Sequence, residues 1–118
     1  MEIIGKEQNG WNVLQLDGSF DLHTIHDVKN VFKHLSTQGK NVLVDFTRVK
    51  SIDSSGVSCL VFCQKLLHQN EGALRIAGLN SKVRVIFQIT RGFEIFDIYD
   101  EVEVALEEDV VPYQDKAA

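Results

Sequence analysis

The chain is predicted to fold as one α/β domain, a mixed sheet of about four strands with about four helices packed on it. Three observations lead there. Two apolar segments separated by an Asn-Gly step open the sequence; apolar runs of strand character then alternate with stretches of helical spacing; and 118 residues, 44% of them hydrophobic, suit one core and leave no room for a second domain. Alternating strands and helices imply right-handed crossovers between parallel strands, while the opening pair is antiparallel, so the sheet is mixed.

"EIIGKEQ" and "WNVLQLDG" have strand composition, and Asn9-Gly10 between them suits a tight hairpin turn. From Leu22 to Leu35 the apolar residues Ile25, Val28, Val31, Phe32 and Leu35 recur at three and four, which predicts a helix, with Thr24 and Asp27 placed to cap its start. Gln38-Gly39-Lys40 ends it. "NVLVDF" follows as a nearly continuous apolar run of the kind buried at the centre of a sheet. Thr47 to Ser51 reads as a polar connection to Ile52 and Asp53, and Ser55 to His68 carries a wide apolar helix face that "NEG" terminates before the strand "ALRIAG". Asn80 and Ser81 are placed to cap a helix through Val83, Ile86, Phe87 and Ile89 that ends near Arg91-Gly92. "FEIFDIYD" fits a short strand or a loop, "EVEVALEE" a short acidic helix, and "VVPYQDKAA" a frayed end. The domain is expected to span 1–118, with its core over about 3–106.

Charge and composition narrow the function classes. A formal net charge of -5 argues against nucleic acid and against anionic membrane surfaces, both of which need a basic face. No run approaches the ~20 apolar residues of a bilayer span, and the N-terminus lacks a basic segment followed by an apolar one, so a cytoplasmic protein is expected. Cys59 and Cys63 fall on adjacent turns of one predicted helix, where they are expected to be reduced core residues; no cluster completes a metal site, and neither metal nor cofactor is expected.

"SIDSSGV" holds the residues of greatest interest. Asp53 and Ser54 fall where a strand hands over to a helix, the edge of an open α/β sheet at which ligands commonly bind. Ser and Asp are favoured at helix starts because a side-chain oxygen satisfies an orphan backbone N–H, so capping alone accounts for both serines. The same position presents a hydroxyl backed by N–H groups and the positive end of a helix dipole, where a phosphoryl group is tolerated by the fold and adds about -1.5 to -2 charges. A hydrolase is disfavoured: the glycine two residues before a nucleophilic serine is missing, and no phosphate-binding glycine loop is present, so no catalytic residue is assigned.

Taken together, "LDGSFD" before the first helix and "IDSSGV" before the second resemble the STAS domain, in particular the bacterial anti-sigma-factor antagonists, whose pattern is Leu-x-Gly-x-x-Asp followed by hydrophobic-Asp-Ser-Ser/Thr-Gly-hydrophobic. "GALRIAGLNSKVRVIFQIT" fits the family's next strand and capped helix, so the resemblance runs from about Ile3 to Leu106. It implies a protein-binding switch. Ser54 takes the position of the serine that a partner kinase, itself the anti-sigma factor, phosphorylates and that a serine phosphatase restores; the unphosphorylated form binds the kinase and the phosphorylated form does not. Asp21 takes the position of the family aspartate beside that serine, and Asp53, Ser55, Gly56, Val57 and Ser58 complete the expected contact surface. Two departures stand out: Arg91 falls near a position where the family has glycine, and Phe20 replaces a smaller aliphatic before Asp21, a change expected to bear on partner choice. The competing reading is a STAS module in another signalling or transport assembly, with Ser54 never phosphorylated. No long unpaired apolar surface is evident, so a monomer is expected.

Overall fold

The structure, a computed structural model, describes residues 1–107. Five strands form one sheet in the order β1-β2-β3-β4-β5. β1 (Glu2–Gln8) and β2 (Trp11–Phe20) are the antiparallel hairpin, turning through Asn9 and Gly10, both at positive φ. β3 (Val42–Ile52), β4 (Leu74–Ala77) and β5 (Asp97–Tyr99) each pair in parallel with the strand before. The helices α1 (Ile25–Ser36), α2 (Ser54–Gln69), α3 (Ser81–Ile89) and α4 (Gly92–Ile95) lie in the crossovers, and α5 (Val102–Ala105) follows β5.

Alternation along the strands divides the core between the two faces of the sheet. Leu14, Val42, Val44, Ile76 and Ile98 meet Val28 and Phe32 of α1, Leu60, Cys63 and Leu67 of α2, and Phe87 of α3. Val13, Leu43, Ala77 and Tyr99, one residue out of phase, meet Ala105 and Leu106 at α5. Arg75 secures that smaller layer: its guanidinium lies 4.5 Å from the Trp11 ring and donates to the Ala105 carbonyl at 2.6 Å. Burial there pushes the Tyr99 phenol up from its ordinary value.

Cys59 and Cys63 are free thiols inside the main core, as expected from the sequence. The hydrogen bond between them, and then burial, push the Cys63 thiol up, which keeps it protonated and unreactive.

Three expectations change. Thr47 to Ser51 is not a connection but the second half of β3. β4 stops pairing at Asp45, while β2 continues alongside to Ile52 through two register shifts, so this half is paired on one side only; Thr47, Arg48 and Lys50 are exposed while Val49 and Ile52 stay buried. "FEIFDIYD" holds both a single-turn helix and β5, the strand beyond the expected four. Helix α1 begins at Ile25, and Thr24 makes no side-chain cap bond. Asn80 caps α3 as expected, accepting from the Val83 N–H at 2.8 Å. The end expected to fray lies outside the described residues.

Candidate functional site

β2 and β3 run in parallel to the same end of the sheet, where Phe20 pairs with Ile52. The next residue on each strand is an aspartate. The Asp53 N–H donates to the Phe20 carbonyl at 3.3 Å, so Asp21 and Asp53 flank one backbone hydrogen bond.

Asp53 is extended and caps α2, its Oδ1 accepting the Gly56 N–H at 3.0 Å. This settles which residue does the capping. Ser54 becomes the first helical residue, one earlier than expected, and neither Ser54 nor Ser55 makes a side-chain hydrogen bond among the described residues. The Ser54 side chain is exposed, Ser55 is half-buried, and the first-turn amides lie beneath them. Gly56 allows the close approach: a methyl group there would lie 2.7 Å from both the Phe20 carbonyl oxygen and Ile52 Cγ1. The first turn of α2 therefore sits directly on the ends of β2 and β3.

Asp21 is held differently. Its Oδ1 accepts the His23 N–H at 2.9 Å, its own N–H donates to Thr24 Oγ1 at 2.9 Å, and that hydroxyl donates to the Ser19 carbonyl at 2.8 Å. Thr24 thus turns back to fasten the loop instead of capping α1, and the Asp21 carbonyl receives the N–H groups of Thr24 and Ile25.

Of the expected contact residues, Asp21, Asp53, Ser54, Ser55 and Ser58 reach the surface, Asp21, Asp53 and Ser55 being half-buried. Gly56 is buried, and Val57, only 5% exposed, points into the core because α2 rests on the sheet at that turn; its side chain is no contact surface. Phe20 is fully buried against Phe46, at 6.3 Å between ring centroids, so its size acts on the core and not on a partner directly. Two apolar residues that the sequence reading passed over stand at the surface instead. Leu22 is 65% exposed in the turn after Asp21, and Phe62, one turn beyond Ser58, projects under the Lys29 ammonium at 5.1 Å. Leu22 lies three residues before Ile25, so spacing alone would place it with the buried face of α1; its exposure follows from the turn that precedes the helix, and no sequence signal marks it.

Arg91, near the family's glycine, adopts the left-handed conformation with φ of 60°. The backbone there has the shape a glycine favours, and an arginine holds it.

The likenesses to known proteins agree with this arrangement. The STAS domain profile matches residues 2–105. A Staphylococcus aureus protein named anti-sigma-B factor antagonist is 24% identical over 98 residues, 82% of this chain and 91% of that one. A Thermotoga maritima protein described as an anti-sigma factor antagonist superposes with a TM-score of 0.81 at 24% identity, covering 90% of this chain and 92% of that one. The phosphorylated form of the Bacillus cell-fate determinant SpoIIAA superposes with a TM-score of 0.65 at 20% identity, covering 88% of this chain and 96% of that one. With nearly all of its described length matched by one family profile and the two loops of that family's pattern meeting at one end of the sheet, the chain belongs to the STAS domain family.

Proposed function

We propose that the protein is an anti-sigma-factor antagonist that works as a phosphorylation switch. The observation that carries this reading is the free hydroxyl of Ser54: Asp53 takes the capping role, and the serine stands exposed on the first turn of α2 with no bond to break. In its unmodified form the protein binds a serine kinase that is itself the anti-sigma factor, and so releases the sigma factor. The kinase supplies ATP, magnesium and the general base; the Ser54 oxygen attacks the γ-phosphorus, its proton passes to the base and ADP leaves. The substrate's part is to present that serine on a fixed backbone, which the Asp53 cap and the packing of Gly56 support.

Transfer adds about -1.5 to -2 charges at a helix N-terminus, where the amides tolerate them. The fold survives and the surface changes. Asp21 and Asp53 already make this end of the sheet acidic, so the phosphate deepens a negative field on a chain of net charge -5 and repels a partner that carries nucleotide phosphates. Asp21 is the proposed kinase contact, with Ser58 and the exposed Leu22 as further contacts, and a serine phosphatase resets the switch. The names of the Staphylococcus relative and of the Thermotoga structure, and the existence of SpoIIAA in a phosphorylated form, favour this reading over a STAS scaffold of another assembly.

The test is the affinity of the unmodified protein and of Ser54→Asp for the host's anti-sigma serine kinases, by titration calorimetry. A loss of about tenfold or more in the variant, with unchanged circular dichroism, is expected from like-charge juxtaposition. Equal affinities would remove the electrostatic block from the account.

A further inference from the structure

We propose that the free edge of β1 is an interface between two copies of this chain, which pair their β1 strands in antiparallel fashion about a two-fold axis at Ile4. β1 stands at the end of the sheet, and every residue of it except Ile3 is exposed, Ile4 by 51%. A row of unpaired backbone N–H and C=O groups along such an edge is a template for another strand.

Side chains alternate along β1, so Glu2, Ile4 and Lys6 share one face and Ile3, Gly5 and Glu7 the other. A two-fold axis normal to the sheet preserves faces and reverses strand direction, so it must pass through a residue position. Centring it on Ile4 places the two Ile4 side chains together, Glu2 opposite the second copy's Lys6, Lys6 opposite the second copy's Glu2, and Ile3 opposite Gly5, where there is room for it. Directly opposed side chains lie about 4.5–5.5 Å apart, close enough for both charge pairs to form. The alternatives are poorer. An axis at Gly5 sets Ile4 against Lys6 and Ile3 against Glu7; one at Lys6 sets like charges together; one at Ile3 sets Glu2 against Ile4.

Glu2 and Lys6 are also unengaged within the chain: neither forms an ion pair among the described residues, whereas Glu7 on the other face is taken by Lys40 at 3.4 Å. An edge lysine ordinarily guards against strand addition. Here that guard becomes a selector, because the one register that neutralises it is self-pairing at Ile4. The expectation of a monomer rested on the lack of a large apolar surface, which pairing through backbone and charge does not need. Each copy would keep its own Ser54 loop, which lies at the end of β3, two strands in from the edge.

Sedimentation equilibrium of the full chain, from low-micromolar to near-millimolar concentration, tests the proposal. A reversible dimer that weakens at high salt is expected. Glu2→Lys and Lys6→Glu should each weaken it by about tenfold or more, since each turns two attractive cross-strand pairs into repulsive ones. Combining both substitutions should restore it, a rescue that general damage to the fold cannot produce. A monomer throughout the range, a dimer indifferent to the single reversals, or a double variant as weak as the singles would each overturn the assignment.

Discussion

The starts of α1 and α2 stand side by side at one end of the sheet, each just after an aspartate that follows a residue of the Phe20–Ile52 pair, yet the two aspartates are used in opposite ways. Asp53 enters its helix at once, caps it through the Gly56 N–H, and leaves the next side chain free. Asp21 is followed by three residues of turn before α1 begins; its carboxylate bonds the His23 N–H, and Thr24, the residue suited to cap α1, is spent on holding the turn. One start is built to present a hydroxyl on a rigid helix. The other presents an acid and an exposed leucine on a fastened loop, which suits recognition of a partner.

Several substitutions would break or sharpen that contrast. The largest effect is expected of Gly56→Ala, whose methyl group would collide with backbone at Phe20 and so lower unfolding free energy by about 2–3 kcal/mol in denaturant titration. A neutral result there would mean that the first turn of α2 is not seated on the strand ends. Thr24→Val removes a hydroxyl that joins Asp21 to Ser19 and should cost about 1–2 kcal/mol; a loss confined to α1, with faster amide exchange there and none in the Asp21 turn, would make Thr24 a helix cap after all. Asp53→Ala should cost about 1 kcal/mol as a lost cap.

A third helix start supplies a change in the other direction. Arg91 begins α4 in the left-handed region with only a 3.9 Å exposed ion pair to Glu94, so Arg91→Gly should stabilise by about 0.5–1 kcal/mol. Smallest of all is Ser54→Ala, expected within about 0.5 kcal/mol of the parent because the hydroxyl makes no intramolecular bond. Were Ser54→Ala to cost as much as Asp53→Ala, the division of labour between the two residues would be wrong.

Much of this was legible in the sequence because it is local. The Asn-Gly hairpin, the Asn80 cap and the long apolar faces of α1 and α2 depend on neighbours a few residues away, and the two aspartate loops announced themselves by composition. What stayed hidden depends on distant partners. The polar half of β3 looked like a loop because pairing on one side only leaves Thr47, Arg48 and Lys50 in water, and its partner β2 lies some thirty residues earlier. β5, three residues long, is too short for any periodicity to declare it. At the site, either an aspartate or a serine could have been the cap, and only the placement of the Asp53 carboxylate relative to the Gly56 N–H separates them. Val57 was misplaced for a related reason: the sequence shows an apolar residue after the glycine, but which way the helix turns there is set by the sheet beneath it.

The central claim is that the Ser54 hydroxyl, freed by its neighbour's cap, is the group that is modified. The most direct measurement incubates the purified protein and its Ser54→Ala variant with ATP and the host's anti-sigma serine kinases, followed by intact-mass and peptide mass spectrometry. One phosphate on Ser54 of the parent and none on the variant is the predicted result. A stable complex with a kinase but no phosphate, or a phosphate on Ser55 or Ser58 instead, would contradict it.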